Sequence, residues 1–432
     1  MMKRLLAFGI AVALLLASIV WLLNHRDEDS AAGTSPTDVA LATQFPADLV
    51  ARGAYLARAG DCIACHTVRG GAPYAGGRGI ETPFGTVYAP NLTPDRQTGL
   101  GDWSAADFWR ALHNGRSKDG RLLYPAFPYP NYTRVVRADS DAIYAYLHSL
   151  APVVQPNTPH DLRFPFDQQV SLAVWRAFFF APGTYAPERS RSAEWNRGAY
   201  LVEGLGHCNA CHSSRNALGA SAGPLDLAGG LIPVQNWYAP SLTDPDEASV
   251  ADWDRAHIAE LLKTGVSARG SVMGPMTEVV LNSTQYLSDA DLGAIATFLK
   301  ALPVDRSSRQ SARAAKAASA DSLARGAKLY ETNCLHCHGE NGMGVPRAYP
   351  ALAGSRAVAM ASPANLVHIV LEGGFPPGTA GNPRPFGMPP FATVLDNDQV
   401  ADLLSYIRAS WDNQAGAVSA FDVSRYRGAA RP

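Results

Sequence analysis

The chain has 432 residues, 47% of them hydrophobic, with 37 basic and 38 acidic side chains and a net charge of −1. That length fits about three domains of ordinary size, and the balanced charge, with no basic stripe, excludes a nucleic-acid partner. Glycine (38) and proline (31) make up about 16% of the chain, above the roughly 12% average and below a disordered composition, so compact domains with long structured loops are expected.

In chain order, the first element is an apolar run from Leu5 to Leu23 behind Lys3 and Arg4. As a helix it measures about 28 Å, close to the ~30 Å hydrocarbon thickness. A cleaved signal peptide is the competing reading, but its core is usually shorter and a small-x-small cleavage site follows it. Here Trp21-Leu22-Leu23-Asn24 follows instead. Residues 1–26 are therefore read as a membrane anchor with Lys3 and Arg4 on the cytoplasmic side and the rest exported. Residues 27–44 read as a polar tether.

All six cysteines then fall into three copies of one pattern: Cys62-Ile-Ala-Cys65-His66, Cys208-Asn-Ala-Cys211-His212 and Cys334-Leu-His-Cys337-His338. The pattern is that of c-type haem attachment. Two thiols spaced by two residues can both add to the haem vinyl groups, and the adjacent histidine reaches iron from the same turn. Zinc sites want four ligands in paired motifs, and a dithiol redox motif needs no adjacent histidine. Three covalently bound haem c groups are expected.

The lead-ins repeat too: Arg52-Gly53-Ala54-Tyr55-Leu56, Arg197-Gly198-Ala199-Tyr200-Leu201 and Arg325-Gly326-Ala327-Lys328-Leu329. Each predicts a short helix delivering the chain to a haem motif. The motif histidines are 146 and 126 residues apart, so these are duplicated domains and not solenoid repeats. Tyr88-Ala89-Pro90 matches Tyr238-Ala239-Pro240, and Trp103 and Trp253 each open a predicted helix, with Asp102 and Asp252 as N-caps and Gly115 and Gly265 as stops. Apolar periodicity predicts closing helices in DSDAIYAYLHSL, SDADLGAIATFLKAL and NDQVADLLSYIRASW. The boundaries are 45–187, 188–304 and 321–413, with a basic Ser/Ala/Arg linker at 305–320 and an extended strap at 414–432.

The sixth ligand tunes haem iron, and methionine opposite histidine raises the potential. Met276, after Gly274-Pro275, and Met388, before Pro389-Pro390, are the candidate axial methionines. Met273 is the second choice in its segment, Met343 reads as loop or packing, and Met360 as core.

With these residues in view, the chain resembles the triheme cytochrome c subunit of bacterial membrane-bound dehydrogenases of the alcohol, gluconate and sorbitol types. YAPNLTPD, LYPAFPYPNYT, GPMTEVV and MPPFATVLDNDQVADLLSYIRASW carry the resemblance. It implies a mainly α fold, three tandem class I-like cytochrome c domains behind an N-terminal transmembrane helix, and a place on the periplasmic face of the inner membrane. It also implies a partner dehydrogenase catalytic subunit and ubiquinone or a terminal oxidase as acceptor, with no catalytic residues in this chain. The implied iron ligands are His66, His212, His338, Met276 and Met388.

The departure lies in Tyr124-Pro125-Ala126-Phe127, where the alcohol dehydrogenase type has methionine in place of Phe127. No methionine occurs between residues 66 and 190. Three readings stand open for the first haem: His113 or His148 ligates iron, the iron is five-coordinate, or another domain lends a side chain. His113 and His148, matched by Lys263 and Lys300, also read as exposed helix-end cations. Two other functions are weighed beside the electron-transfer subunit. One is a free-standing electron carrier or oxidase subunit; the other is a peroxidase-like enzyme using an open first haem.

Overall fold

The computed structural model describes residues 2–25, 45–221, 223, 226–305 and 316–428. The expected tether at 27–44 and residues 306–315 of the expected linker lie outside them.

Three helix pairs organise the described residues, and each is built from the same sequence elements. Helix α1 (Met2–Asn24) is followed by α2 (Ala47–Ala59) and α3 (Cys62–Cys65). Next come α4 (Ala105–Asn114), α5 (Tyr129–Tyr132), α6 (Arg137–His148), α7 (Gln169–Phe179) and α8 (Ala193–Tyr200). They are followed by α9 (Arg255–Thr264), α10 (Pro275–Asn282), α11 (Asp289–Lys300), α12 (Ala320–Asn333) and α13 (Leu335–His338). The last are α14 (Arg356–Ala359), α15 (Ala364–Glu372), α16 (Asn397–Ala409) and α17 (Ala420–Arg427).

The lead-in glycines explain the pairing. A Cβ at Gly53 would collide with the Ala142 carbonyl of α6, one at Gly198 with the Ala294 carbonyl of α11, and one at Gly326 with the Asp402 carbonyl of α16. Only glycine lets two helix backbones approach that closely. The lead-in arginine beside it closes an ion pair across the same crossing. Arg52 pairs with Asp139, Arg197 with Asp291 at 2.8 Å, and Arg325 with Asp402 at 2.6 Å. The arginines are partly to largely exposed, so each pair contributes under about 1 kcal/mol and serves mainly to fix helix register.

By contact density the chain divides into two units. The first holds residues 1–187, 203–207 and 216–220; the second holds 188–202, 208–215 and 221–432. The first contains the α2/α6 pair and a small antiparallel sheet, β1 (Gly79–Thr82), β2 (Gly85–Tyr88) and β3 (Asp161–Leu162), in that order. The second contains the α8/α11 and α12/α16 pairs. Part of its core surrounds α16: Val367, Val400 and Val423 are fully buried, each stabilising by about 1.5–3 kcal/mol.

Three local expectations are corrected. Trp103 and Trp253 precede their helices and do not open them. Ser104 is the N-cap of α4, closing a reciprocal capping box with Asp107, and Asp254 precedes α9. Asp102 instead pairs with Arg96, and Asp252 with Arg269 and Arg356. The stops are as expected, with Gly115 and Gly265 in left-handed conformation. In the second repeat the lead-in does not stay regular: α8 runs into a π-helical turn at Leu201–Leu205 and a 3-10 turn at Cys208–Ala210. Finally, the tail is not a simple strap. It forms α17, capped by Ser419 and Asp422, and buries Val423 and Tyr426, because those two side chains share one helical face.

Candidate haem sites

Each motif histidine is wired into the fold by the same two backbone groups. His66 Nδ1 donates to the Pro90 carbonyl at 2.8 Å, His212 to Pro240 at 2.7 Å and His338 to Pro350 at 3.1 Å. With Nδ1 carrying the proton, Nε2 of each ring is left as the lone-pair donor that iron requires. Burial pushes His66 down to about 4, and lowers His212 and His338 as well, with the proline carbonyl opposing in each case. All three rings are therefore neutral near pH 7, the state a metal ligand needs.

The second contact was not foreseen from sequence. The histidine's own carbonyl accepts from a glycine amide: Gly76 on His66 (2.8 Å), Gly229 on His212 (2.9 Å) and Gly344 on His338 (2.9 Å). All three glycines have positive φ, and a Cβ on any of them would strike the backbone around Pro90, Pro240 or Tyr349-Pro350. Their spacing from the histidine differs from copy to copy, which hides the repeat. The one sequence signal was a glycine in each loop ahead of a Tyr-Ala-Pro or Tyr-Pro step.

The six thiols are unbridged. Burial pushes Cys62 and Cys208 up to about 12 and Cys334 up to about 11, which keeps them neutral rather than primed as thiolates. Among the described residues, no cluster of three His, Cys, Asp or Glu side chains is arranged to hold a metal ion. The donor set thus fits haem c: two thiols and one imidazole per turn, the imidazole oriented by a carbonyl. Arg78 and Arg215 donate to the Ala64 and Ala210 carbonyls between the paired cysteines.

Met276 sits in the first turn of α10, because Pro275 at the first helical position has its φ preset for a helix. Met388 is partly buried against the core of the second unit, its N–H and C=O exchanged with Gly374 at 2.8 and 3.0 Å. The two methionine segments are neighbours. A Cβ at Gly374 would lie 3.9 Å from the Met273 methyl. Trp237 packs on Gly274 and stacks on His368 with ring centroids 4.8 Å apart. His368 is fully buried, its Nδ1 2.9 Å from Glu372 Oε1. Neither Trp237 nor His368 was singled out from sequence, since neither lies in a repeated motif. Met343 is exposed, and Met360 is in the core.

In the first unit Phe127 is half-buried, its ring 5.3 Å from that of Tyr132. Tyr129, Tyr132 and Trp109 are buried. His113 is not the exposed cation expected. It is 3% exposed, stacked on Trp109 at 4.5 Å, and its Nδ1 donates to the Thr133 carbonyl at 3.0 Å. Lys263, its counterpart, likewise donates to a loop carbonyl, that of Leu287. His148 lies against Tyr144, ring centroids 4.1 Å apart, and burial pushes it down while the Leu100 carbonyl opposes. Its counterpart Lys300 donates to the Ala251 carbonyl at 3.0 Å. His113 therefore shares with its lysine counterpart the task of satisfying a loop carbonyl.

The sequence profile described as Cytochrome c matches residues 50–151 and 323–411. The middle copy, with its π-helical turn before Cys208, lies outside both matches. An alcohol dehydrogenase (quinone) cytochrome c subunit from Komagataeibacter europaeus is 40% identical over 89% of this chain and 85% of its own. A gluconate 2-dehydrogenase cytochrome c subunit from Pantoea cypripedii is 42% identical over 88% of this chain and 89% of its own. A protein named diheme cytochrome c-type from Cereibacter sphaeroides is 36% identical over 70% of this chain and 99% of its own. With these relatives spanning most of its length, the chain belongs to the cytochrome c family, as a dehydrogenase cytochrome c subunit.

Proposed function

We propose that this chain is a membrane-anchored, periplasmic triheme electron relay, taking electrons from a partner dehydrogenase and passing them to ubiquinone or a terminal oxidase. The observation that carries it is the threefold repetition of one wiring: lead-in glycine crossing, CxxCH, carbonyl on Nδ1 and glycine amide on the histidine carbonyl. A copy without its own haem would have no reason to keep all four. The relative named diheme matches only 70% of this chain, which leaves room here for a third site.

Bound haem supplies one-electron chemistry; the protein supplies spacing and tuning. His66, His212 and His338 would hold the proximal side, and the paired cysteines the covalent links. Met276 and Met388 would ligate the second and third irons and raise their potentials. Phe127 has no donor atom, so the first haem is set apart from the other two. The three cytochrome c domains are 45–187, 188–304 and 321–413, and α1 is retained as the anchor. No residue of this chain performs substrate chemistry; specificity belongs to the partner.

The test is to solubilise the protein gently from its own membrane and identify what accompanies it. Co-purification of a dehydrogenase subunit, with haem reduction by that enzyme's substrate and three haems per chain by alkaline pyridine spectrum, is the expected result. Purification alone or with oxidase subunits only would overturn the dehydrogenase reading, and two haems per chain would overturn the triheme reading.

A further inference from the structure

Helix α7 (Gln169–Phe179) presents an apolar face that the fold leaves uncovered. Val170 (75% exposed), Val174 (39%) and Phe178 (75%) recur every four residues and form one stripe. Phe164, just upstream, is 80% exposed. The helix has a single charged residue, Arg176, and that side chain is buried. A water-facing helix carries its charges outward; this one carries its only charge inward.

What covers the stripe is indicated by the end of α1. Asn24, the last residue of that helix, is buried, and three hydrogen bonds tie it to the first unit. Its Nδ2 donates to the Ala173 carbonyl of α7 (2.9 Å), its Oδ1 accepts from Arg176 Nε (2.9 Å), and its carbonyl accepts from Arg116 (3.0 Å). Trp21, one turn earlier, is exposed and stacks on His25, an aromatic of the kind found at the headgroup level. The point where a membrane-length helix ends is thus fastened to the middle of α7.

We propose that the Val170/Val174/Phe178 face of α7 lies on the lipid bilayer, at the boundary between headgroups and acyl chains, beside the exit of α1. The proposal rests on the anchor reading of α1. The helix rests its core-facing side on the protein and its outer side on lipid, so membrane contact is made by two elements and not by a tether alone. That arrangement holds the first unit against the membrane surface.

The test uses the full chain, haem-loaded, in vesicles of phosphatidylethanolamine and phosphatidylglycerol. Phe178→p-benzoylphenylalanine places a photocrosslinker on the stripe, and Leu14→p-benzoylphenylalanine places one in mid-α1, where the side chain is also exposed. After irradiation, a mass shift of one phospholipid on the peptide is expected at both positions. Lipid adducts at position 14 with none at 178, or adducts at 178 only to a second copy of the chain, would overturn the proposal and leave the anchor intact. No lipid adduct at either position would overturn both. Should the Phe178 variant fail to take up haem, Val174→p-benzoylphenylalanine reports on the same stripe.

Discussion

Replacing Gly326 with alanine tests whether the close helix crossing organises the third repeat. The new Cβ would sit 2.6 Å from the Tyr406 Cβ and against the Asp402 backbone carbonyl. In an open helix, Gly→Ala gains up to about 1 kcal/mol of helix propensity. Overpacking costs about 1–3 kcal/mol, and here the obstacle is backbone, which cannot rotate away, so the upper part of that range applies. The net is a destabilisation of about 1–2 kcal/mol, or roughly 2–8 °C for a unit of the size that holds Gly326. Gly293, in α11, is the internal control: the nearest atoms to its Cβ are side-chain ends, Arg255 Nη2 at 3.4 Å and Glu194 Oε1 at 3.7 Å. Thermal unfolding followed by circular dichroism and haem absorbance should show Gly326→Ala melting earlier and Gly293→Ala melting at or above wild type. A Gly326→Ala protein as stable as the Gly293→Ala protein would refute the reasoning.

The first haem should titrate apart from the other two in a potentiometric experiment, and Phe127→Met should move it toward them; three indistinguishable haems in the wild type would contradict this. Met388→Ala and Met276→Ala should each lower one potential and leave the others in place, read in the same titration. Asn24→Leu removes the acceptor from the buried Arg176 guanidinium and should cost about 1–3 kcal/mol, seen as earlier unfolding of the detergent-solubilised chain. At Asp252 the Arg356 hydrogen bond depresses the carboxylate pKa below its ordinary 3.8 against the cost of burial. A depressed folded-state pKa means stability present above the unfolded value and lost as pH falls through the carboxylate range. Asp252→Asn should therefore weaken the protein slightly at pH 7, by under about 1 kcal/mol for so exposed a pair, and the difference from wild type should shrink as pH falls below 3.8.

The lead-ins and closing helices were legible because a close helix crossing demands specific residues at short, fixed spacings. CxxCH cannot be spread out, and the glycine of Arg-Gly-Ala has no room for a side chain where two backbones touch. The apolar run of α1 and the glycine stops of α4 and α9 were legible for the same reason: one local stretch carries the whole signal. Helix starts were less so. Asp102 and Asp252 look like caps in sequence, but Ser104 wins in α4 through a reciprocal bond with Asp107 that a list of good capping residues does not rank.

What the tertiary structure decided is which distant groups meet. Gly76, Gly229 and Gly344 reach their histidines across loops of different length, so no constant spacing betrays them. In sequence His113 reads either as an iron ligand or as a helix-end cation matched by a lysine, and it is buried because the Trp109 ring and the Thr133 carbonyl close over it. Trp237 meets His368 across more than a hundred residues, and Asn24 meets Arg176 across as many. By itself the sequence determined the cofactor chemistry, since that chemistry is local and covalent. Only the fold decided how the histidines are oriented and where the last residue of α1 is fastened, since hydrogen bonds between distant segments form only once the chain has folded.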